Sequence, residues 1–124
     1  MTQPAIVDFR DPGAPQDAPI DAARRLDGEP RATVDNRYSD PGQRFHCGTW
    51  TSTPGRWRIS YTEHEFCYLL EGHVRLVAAD GTSREFRAGD AFVIPAVFNG
   101  TWETIEPARK HYVIYEPAGD ASGT

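Results

Sequence analysis

The sequence predicts an all-β fold, either a sandwich or a closed barrel, built from about eight short strands. Short β-type runs at residues 65–70, 74–78 and 92–94 each end at a turn signal. Asp80-Gly81, after the second run, is the strongest hairpin signal, because a tight two-residue turn needs positive φ angles that Asp tolerates and Gly adopts freely. No stretch with helical periodicity exceeds about two turns.

Length and charge limit the classes of partner. A chain of 124 residues is expected to form one domain with its own core. Its net charge of -5 argues against nucleic acid and anionic membranes, because both require an excess of Lys and Arg. The N-terminus lacks a signal-peptide pattern and no apolar run is long enough to span a membrane, so we expect a cytoplasmic protein with Cys47 and Cys67 reduced.

Residues 1–43 are predicted to form an irregular, proline-rich arm. Six of the ten prolines lie before residue 45, and such a composition resists both helices and strands. Within the arm, residues 20–26 could form about two helical turns after Pro19 and end at Gly28. The arm could cover its own domain or a neighbouring subunit.

A β-barrel is predicted for residues 44–117, followed by a flexible polar tail at 118–124. The first two strands, at 45–51 and 56–62, flank a turn that contains Pro54 and Gly55. Two more strands are predicted after the central ladder, at 98–105 and 110–115. The many short strands and frequent turns favour closure of the sheet.

The period-two pattern of the second strand indicates which side chains face inward. Trp57, Ile59 and Tyr61 share one side of the strand, and polar residues occupy the other. The same phase, continued, places Glu63 and Glu65 on the inner face. Two inward carboxylates are unexpected for a protein interior and suggest a function.

These residues also carry a resemblance to a known family. Glu65 followed by Gly72, and Gly89-Asp90 followed by Val93-Ile94-Pro95, resemble the two motifs of the cupin superfamily. Residues 44–116 more closely resemble the subfamily of unknown function that includes the ethanolamine-utilisation cupin and ureidoglycine aminohydrolase-like domains. The resemblance implies a double-stranded β-helix, the cupin jelly-roll barrel.

Metal-binding cupins, by the same resemblance, use a His-X-His pair, a Glu and a third His. This chain retains only the Glu, at position 65. Depending on register, the paired His positions hold Arg58 and Ser60 or Ile59 and Tyr61, and the third position holds Gly100. We therefore expect no metal cofactor. A divalent Mn or Zn site near Glu65, completed by Glu63 and one histidine, is the alternative.

Without a metal, Glu65 becomes the candidate catalytic acid or base, because burial raises the pKa of a carboxyl group. Tyr61 and Lys110 are its predicted catalytic partners, as a hydrogen-bond donor and a cation. In the competing interpretation, Glu65 is paired to a basic residue and only stabilises the barrel mouth. The predicted ligand-binding residues are Glu63, Trp102, Trp57, Phe98 and His111.

The sequence thus predicts a small cupin that binds or converts a small polar metabolite, with a nitrogen-containing compound implied by the resemblance alone. The alternative is a non-catalytic ligand sensor or an accessory protein that acts through a dimer surface. Phe66, Tyr68 and Leu70 alternate with the inner residues, so a second subunit is expected to cover them in a homodimer.

Overall fold

The computed structural model describes residues 3–118, and nearly all of its regular structure is β-sheet. The predicted tail lies outside the described residues apart from residue 118. The strands are β1 (Gln16–Asp17), β2 (Arg25–Asp27), β3 (Ala32–Ser39), β4 (Phe45–Ser52), β5 (Gly55–Ser60), β6 (His64–Ala78), β7 (Ser83–Arg87), β8 (Ala91–Ile94) and β9 (Asn99–Tyr115). The one helix in this range is a 3-10 turn, Ala22–Arg24, so none there could cross a membrane.

Two long antiparallel strands, β6 and β9, organise the molecule. The N-terminal half of β6, at 64–71, and the C-terminal half of β9, at 109–115, belong to a first sheet with the order β1-β3-β4-β9-β6-β8. Their remaining halves belong to a second sheet with the order β2-β5-β9-β6-β7. The sheet therefore curls over on itself into a jelly-roll barrel, which confirms the predicted fold class.

The bend between the two halves lies at Gly72. Its φ angle is +96°, and a Cβ atom there would collide with the carbonyl oxygen of Pro107 on β9. The register of β6 against β9 shifts between Leu69 and Val74. The prediction that Glu71-Gly72 ends a strand was wrong, as was the division of residues 98–115 into two strands, because bulges bend a strand without ending it.

A hairpin forms at the predicted position, but its loop has three residues, 79–81, and not the predicted two, since Gly81 N donates to Ala78 O at 2.8 Å and Asp80 does not adopt a positive φ angle. Ala78 N donates to Thr82 O at 2.8 Å, and the Asp80 side chain accepts from Thr82 N at 2.9 Å. Gly81 adopts a φ of +93°, as the turn requires. The hairpin joins β6 to β7, a strand that the sequence analysis did not recognise.

Part of the predicted irregular arm also forms sheet. Strand β3 pairs with β4 along its whole length, and β2 pairs with β5. The expected helical turns at 20–26 are reduced to the 3-10 turn. Strand β3 escaped recognition because its outward side is largely polar, with an Arg37–Asp35 ion pair at 3.3 Å and only Tyr38 as a large apolar side chain.

The core lies between the two sheets. It contains Trp57, Ile59, Cys67, Leu69, Val74, Leu76, Ile94, Trp102 and Ala108. The side chains of Trp57 and Trp102 stack with their ring centroids 6.5 Å apart, and Trp50 packs edge-on against Trp102 at 5.3 Å. The predicted inward face of residues 57–69 is confirmed, since Glu65, Cys67 and Leu69 are all buried.

Candidate functional site

A cavity of about 500 Å³ opens between the two sheets. Six of the predicted site residues contribute to its lining, namely Trp57, Tyr61, Glu63, Glu65, Trp102 and Lys110. Their strands place them there by alternation, because each lies on the inward side of β5, β6 or β9 or of the loop that follows β5. The volume suits a small metabolite.

The polar end of the cavity is a buried ion pair. Lys110 Nζ lies 3.0 Å from Glu65 Oε2, and the two side chains are only 4% and 6% exposed. Lys110 pairs with Leu69 in the sheet, four residues along β6 from Glu65. Its long side chain therefore extends past Cys67, whose small size leaves room for it, to the Glu65 carboxylate.

Both members of the pair have further partners. The Tyr61 hydroxyl donates to Glu65 Oε1 at 2.7 Å, and Lys110 Nζ donates to Cys67 Sγ at 3.5 Å. The ammonium also lies over the rings of Trp102 and Trp50, 4.2 and 4.7 Å from their centroids. A charge removed from water is stable only with such compensation, and here hydrogen bonds and cation–π contacts supply it.

The protonation states follow from this environment. Burial lowers the pKa of Lys110, but Cys67 and Glu65 more than offset that effect, so its pKa lies above the ordinary value and the ammonium stays charged. Burial and the Glu65 charge raise the pKa of Tyr61 well above 10. Burial raises the pKa of Cys67 to about 12. Near neutral pH, Tyr61 is therefore a phenol, Cys67 a thiol and Lys110 a cation.

The rest of the lining was not predicted. Tyr112 donates its hydroxyl to Asn36 Oδ1 at 2.7 Å, and both residues line the cavity. The other unpredicted residues are Ile20, Arg24, Val34, His46, Trp50, Ile59, Ser60 and Ile114. Alternation along the last strand could have identified Tyr112 and Ile114 once Lys110 was taken as inward. The residues from before position 45 carried no such signal, because that segment was taken as irregular.

Phe98 and His111 do not line the cavity. Phe98 packs against the core from the loop before β9. His111 follows Lys110 and so points to the opposite side of the sheet, where its ring contacts Thr49 Oγ1 at 3.1 Å and packs edge-on against Phe9 at 5.0 Å. Neither Phe98 nor His111 therefore lies where it was predicted to contact a ligand in the cavity.

The residues present do not fit a metal ion. Across residues 3–118, no three His, Cys, Asp or Glu side chains are grouped as metal ligands would be. Ile59 is buried and Tyr61 contacts Glu65, so these two occupy the inward positions of the predicted His pair. A side chain at Gly100 would collide with the Val77 carbonyl, so a histidine has no room there. The Lys110 ammonium already lies against the remaining Glu65 carboxylate.

A jelly-roll barrel with a side-chain-lined cavity between its two sheets is the architecture found in cupins, among other proteins. Residues 39–112, more than half of the chain, match the family described as the EutQ-like cupin domain, and the protein belongs to this family. No curated protein matches the chain.

Solved structures show the same fold. A protein of unknown function of the DUF861 family from Pseudomonas syringae aligns with a TM-score of 0.76 and 25% identity, over 87% of this chain and 46% of that one. The chain thus spans about half the length of that relative. EutQ from Clostridium difficile aligns with a TM-score of 0.65 and 18% identity, over 90% of this chain and 74% of that one. A putative ethanolamine utilization protein Q from Salmonella typhimurium aligns with a TM-score of 0.64 and 14% identity, over 92% of this chain and 100% of that one.

Proposed function

We propose that this cupin binds a small, uncharged polar metabolite in the barrel cavity without a metal cofactor. The observation that carries the proposal is the Glu65–Lys110 pair, which closes the polar end of the cavity with a net charge of zero. The Tyr61 hydroxyl and the rings of Trp50 and Trp102 contact this pair, and Trp57 lines the same cavity. They supply one polar end and flat apolar walls, as small-molecule sites commonly do.

Charge balance argues for an uncharged ligand. An ion that enters the cavity loses its hydration, and that loss is recovered only beside an unpaired opposite charge. Glu65 and Lys110 neutralise each other, and the lining also contains one further acidic residue, Glu63, and one further basic residue, Arg24, so that these four charges sum to zero. A neutral group with a carbonyl or amide loses less hydration and still forms hydrogen bonds with the lining.

Hydrogen bonding at the mouth supports a nitrogen-containing ligand. Glu63 Oε1 accepts one hydrogen bond, from Thr62 N at 2.9 Å. A carboxylate has about four acceptor positions, so Glu63 can also accept from ligand N–H groups. Catalysis by Glu65, Tyr61 and Lys110 would require the ligand to open the 3.0 Å pair first.

Matched ligands of equal shape and different charge test the proposal. Calorimetric titration with benzamide, benzoate and benzamidinium, and with acetamide, acetate and acetamidinium, should give the tightest binding for the amides, by about tenfold, which is about 1.4 kcal/mol. Val34→Trp, which fills the cavity, should abolish binding. Val93→Trp, on an exposed residue outside the cavity lining, should not. Preferred binding of either ion, no binding by the amides, or binding that survives Val34→Trp would contradict the proposal.

A second candidate function is an accessory role exerted through a dimer surface, and the outer side of the first sheet favours it. We name as the outer face the side that turns away from the cavity. Its apolar residues are Tyr38, Phe45, Cys47, Phe66, Tyr68, Val93, Val113 and Tyr115. Five of them, Val93, Phe66, Val113, Cys47 and Tyr38, form one row across five paired strands. Adjacent strands lie about 4.8 Å apart, so the row is about 20 Å long.

The exposed area of the outer face matches a dimer interface. Its six most exposed side chains are between 38% and 59% accessible. They present about 500 Å² in total, since each large apolar side chain covers about 200 Å². A standard interface buries about 800 Å² per partner, about 65% of it apolar in homodimers. A second copy of this chain is therefore the proposed occupant.

Sedimentation equilibrium of the full chain tests the dimer. The wild-type protein should have twice the mass of one chain, and Phe66→Asp should raise the dimer dissociation constant at least about 100-fold. Val93→Lys, on the same row, should act likewise, whereas Leu26→Asp, at a residue 39% exposed on β2 of the second sheet, should have no effect. A monomeric wild type, or a dimer insensitive to both changes on the outer face, would exclude this interface.

A further inference from the structure

The Glu65 carboxylate faces a cation that belongs to the chain itself. Glu65 is the one side chain of the metal-ligand pattern that this sequence retains, and Lys110 Nζ lies 3.0 Å from its Oε2 atom. The ammonium is held from the other sides by the faces of Trp50 and Trp102 and by Cys67 Sγ. These contacts surround one position for a single positive charge.

The residues at the positions where metal-binding cupins have histidines cannot bind a metal in this chain, and the reason differs from one position to the next. Ile59 offers no donor atom, and the Tyr61 hydroxyl is engaged as a donor to Glu65 Oε1. At Gly100, backbone atoms of β6 occupy the space that a longer side chain would need. The packing at the positions where the pattern has imidazoles therefore leaves only the carboxylate and the ammonium.

We propose that the Lys110 ammonium is a tethered substitute for the metal cation of other cupins, and that Glu65 and the tryptophan rings form a site selective for a primary ammonium ion. In the wild-type protein this site is filled from within. Removal of the lysine side chain beyond Cβ would leave a vacancy the size of n-propylammonium, which has the three carbons and the charged nitrogen that Lys110→Ala deletes. The inference concerns the occupant of the polar end of the cavity and does not depend on which metabolite binds beside it.

Chemical rescue of Lys110→Ala tests this inference. n-Propylammonium should raise the thermal midpoint of the variant with increasing concentration, by about 4 °C at ten times its dissociation constant. n-Propanol, which has the same shape without the charge, and tetramethylammonium, which has the charge without N–H donors, should give less than about a quarter of that shift. The wild-type midpoint should not respond to n-propylammonium. Equal rescue by n-propanol, or none by n-propylammonium, would overturn the proposal.

A second variant covers the case in which Lys110→Ala does not fold. Lys110→Met keeps most of the side-chain volume but leaves Glu65 without a cation. The thermal midpoint should recover by at least about half of the loss when Glu65→Gln is added, because the uncompensated charge is then absent. A double variant no more stable than Lys110→Met would contradict the inference.

Binding of divalent metal provides an independent test. Titration of the wild-type protein with Mn²⁺ and Zn²⁺ should detect no site that Glu65→Gln removes. Stoichiometric binding at such a site would show that the ammonium does not hold the cation position. Neither result depends on the amide titrations, so the failure of this inference and the failure of metabolite binding are distinguishable.

Discussion

At the scale of single residues, the Glu65–Lys110 pair is the feature on which the cavity depends. Its two side chains are almost completely buried, and each has at least two polar or aromatic partners. A second ion pair between the same long strands, Arg109–Glu71 at 2.8 Å, has side chains that are 45% and 62% exposed. The exposed pair thus provides an internal control for burial.

Removing one member of the buried pair should be far more costly than removing both. Glu65→Gln or Lys110→Met alone should lower the free energy of unfolding by about 3–5 kcal/mol, because each leaves a buried charge uncompensated. The double variant should recover most of that loss. Arg109→Met and Glu71→Gln should each cost less than about 1 kcal/mol. Urea unfolding of the variants measures these values, and additive losses at Glu65 and Lys110 would show that the two are not coupled.

The same environment predicts a loss of stability in alkali. The pKa values of Cys67, Tyr61 and Lys110 are raised above their ordinary values of 9.0, 10.0 and 10.5. A raised pKa means that the folded state keeps a proton that the unfolded state has begun to release. The stability from these groups is therefore complete below pH 9 and is lost as pH rises through the folded-state pKa values. The thermal midpoint should fall above about pH 9, and Tyr61→Phe should make the fall shallower.

At the scale of elements, the two long strands determine where the site lies. Each passes from one sheet to the other, so that Trp102 and Lys110, eight positions apart on β9, converge on one cavity from opposite sheets. Gly72 allows this passage, because it combines a positive φ angle with backbone packed against Pro107. The bend therefore determines which residues line the cavity.

A substitution at the bend should be more costly than the same substitution in a turn. Gly72→Ala should lower the free energy of unfolding by at least about 3 kcal/mol, since it adds a steric collision to backbone strain. Gly81 has a similar φ angle of +93° but open space around it, so Gly81→Ala should lower the free energy of unfolding by only about 1 kcal/mol. Thermal or urea unfolding gives both values. Equal costs would mean that the contact with Pro107 does not constrain the bend.

At the scale of the whole molecule, sequence periodicity predicted much of the barrel. Period-two alternation placed Glu65 inside, and Asp80-Gly81 located the hairpin. The resemblance to cupins, and not periodicity, specified the jelly roll among the all-β folds. Tyr61 and Lys110 were predicted as partners of Glu65, and the structure has both within hydrogen-bonding distance of it.

The remaining features depend on long-range register, which local patterns do not contain. A bulge at Gly72 continues β6 where the local sequence signals a turn. Strand β3 is held by β4 although its outer side is largely polar. Its residues Val34 and Asn36 reach the cavity only through that pairing. His111 was predicted to face the cavity because the sequence did not show which side chains of its strand point inward. Lys110 is buried and points inward, so His111, the next residue, points outward.

The most direct test of the account is nitrogen-15 NMR of the Lys110 side chain in the full chain near neutral pH. We expect one ammonium signal protected from exchange with water, lost in Glu65→Gln and unchanged when Mn²⁺ is added. That result would establish a buried, permanently charged lysine at the polar end of the cavity. A Lys110 signal that exchanges freely, or one that Mn²⁺ broadens and chelator restores, would contradict the central claim.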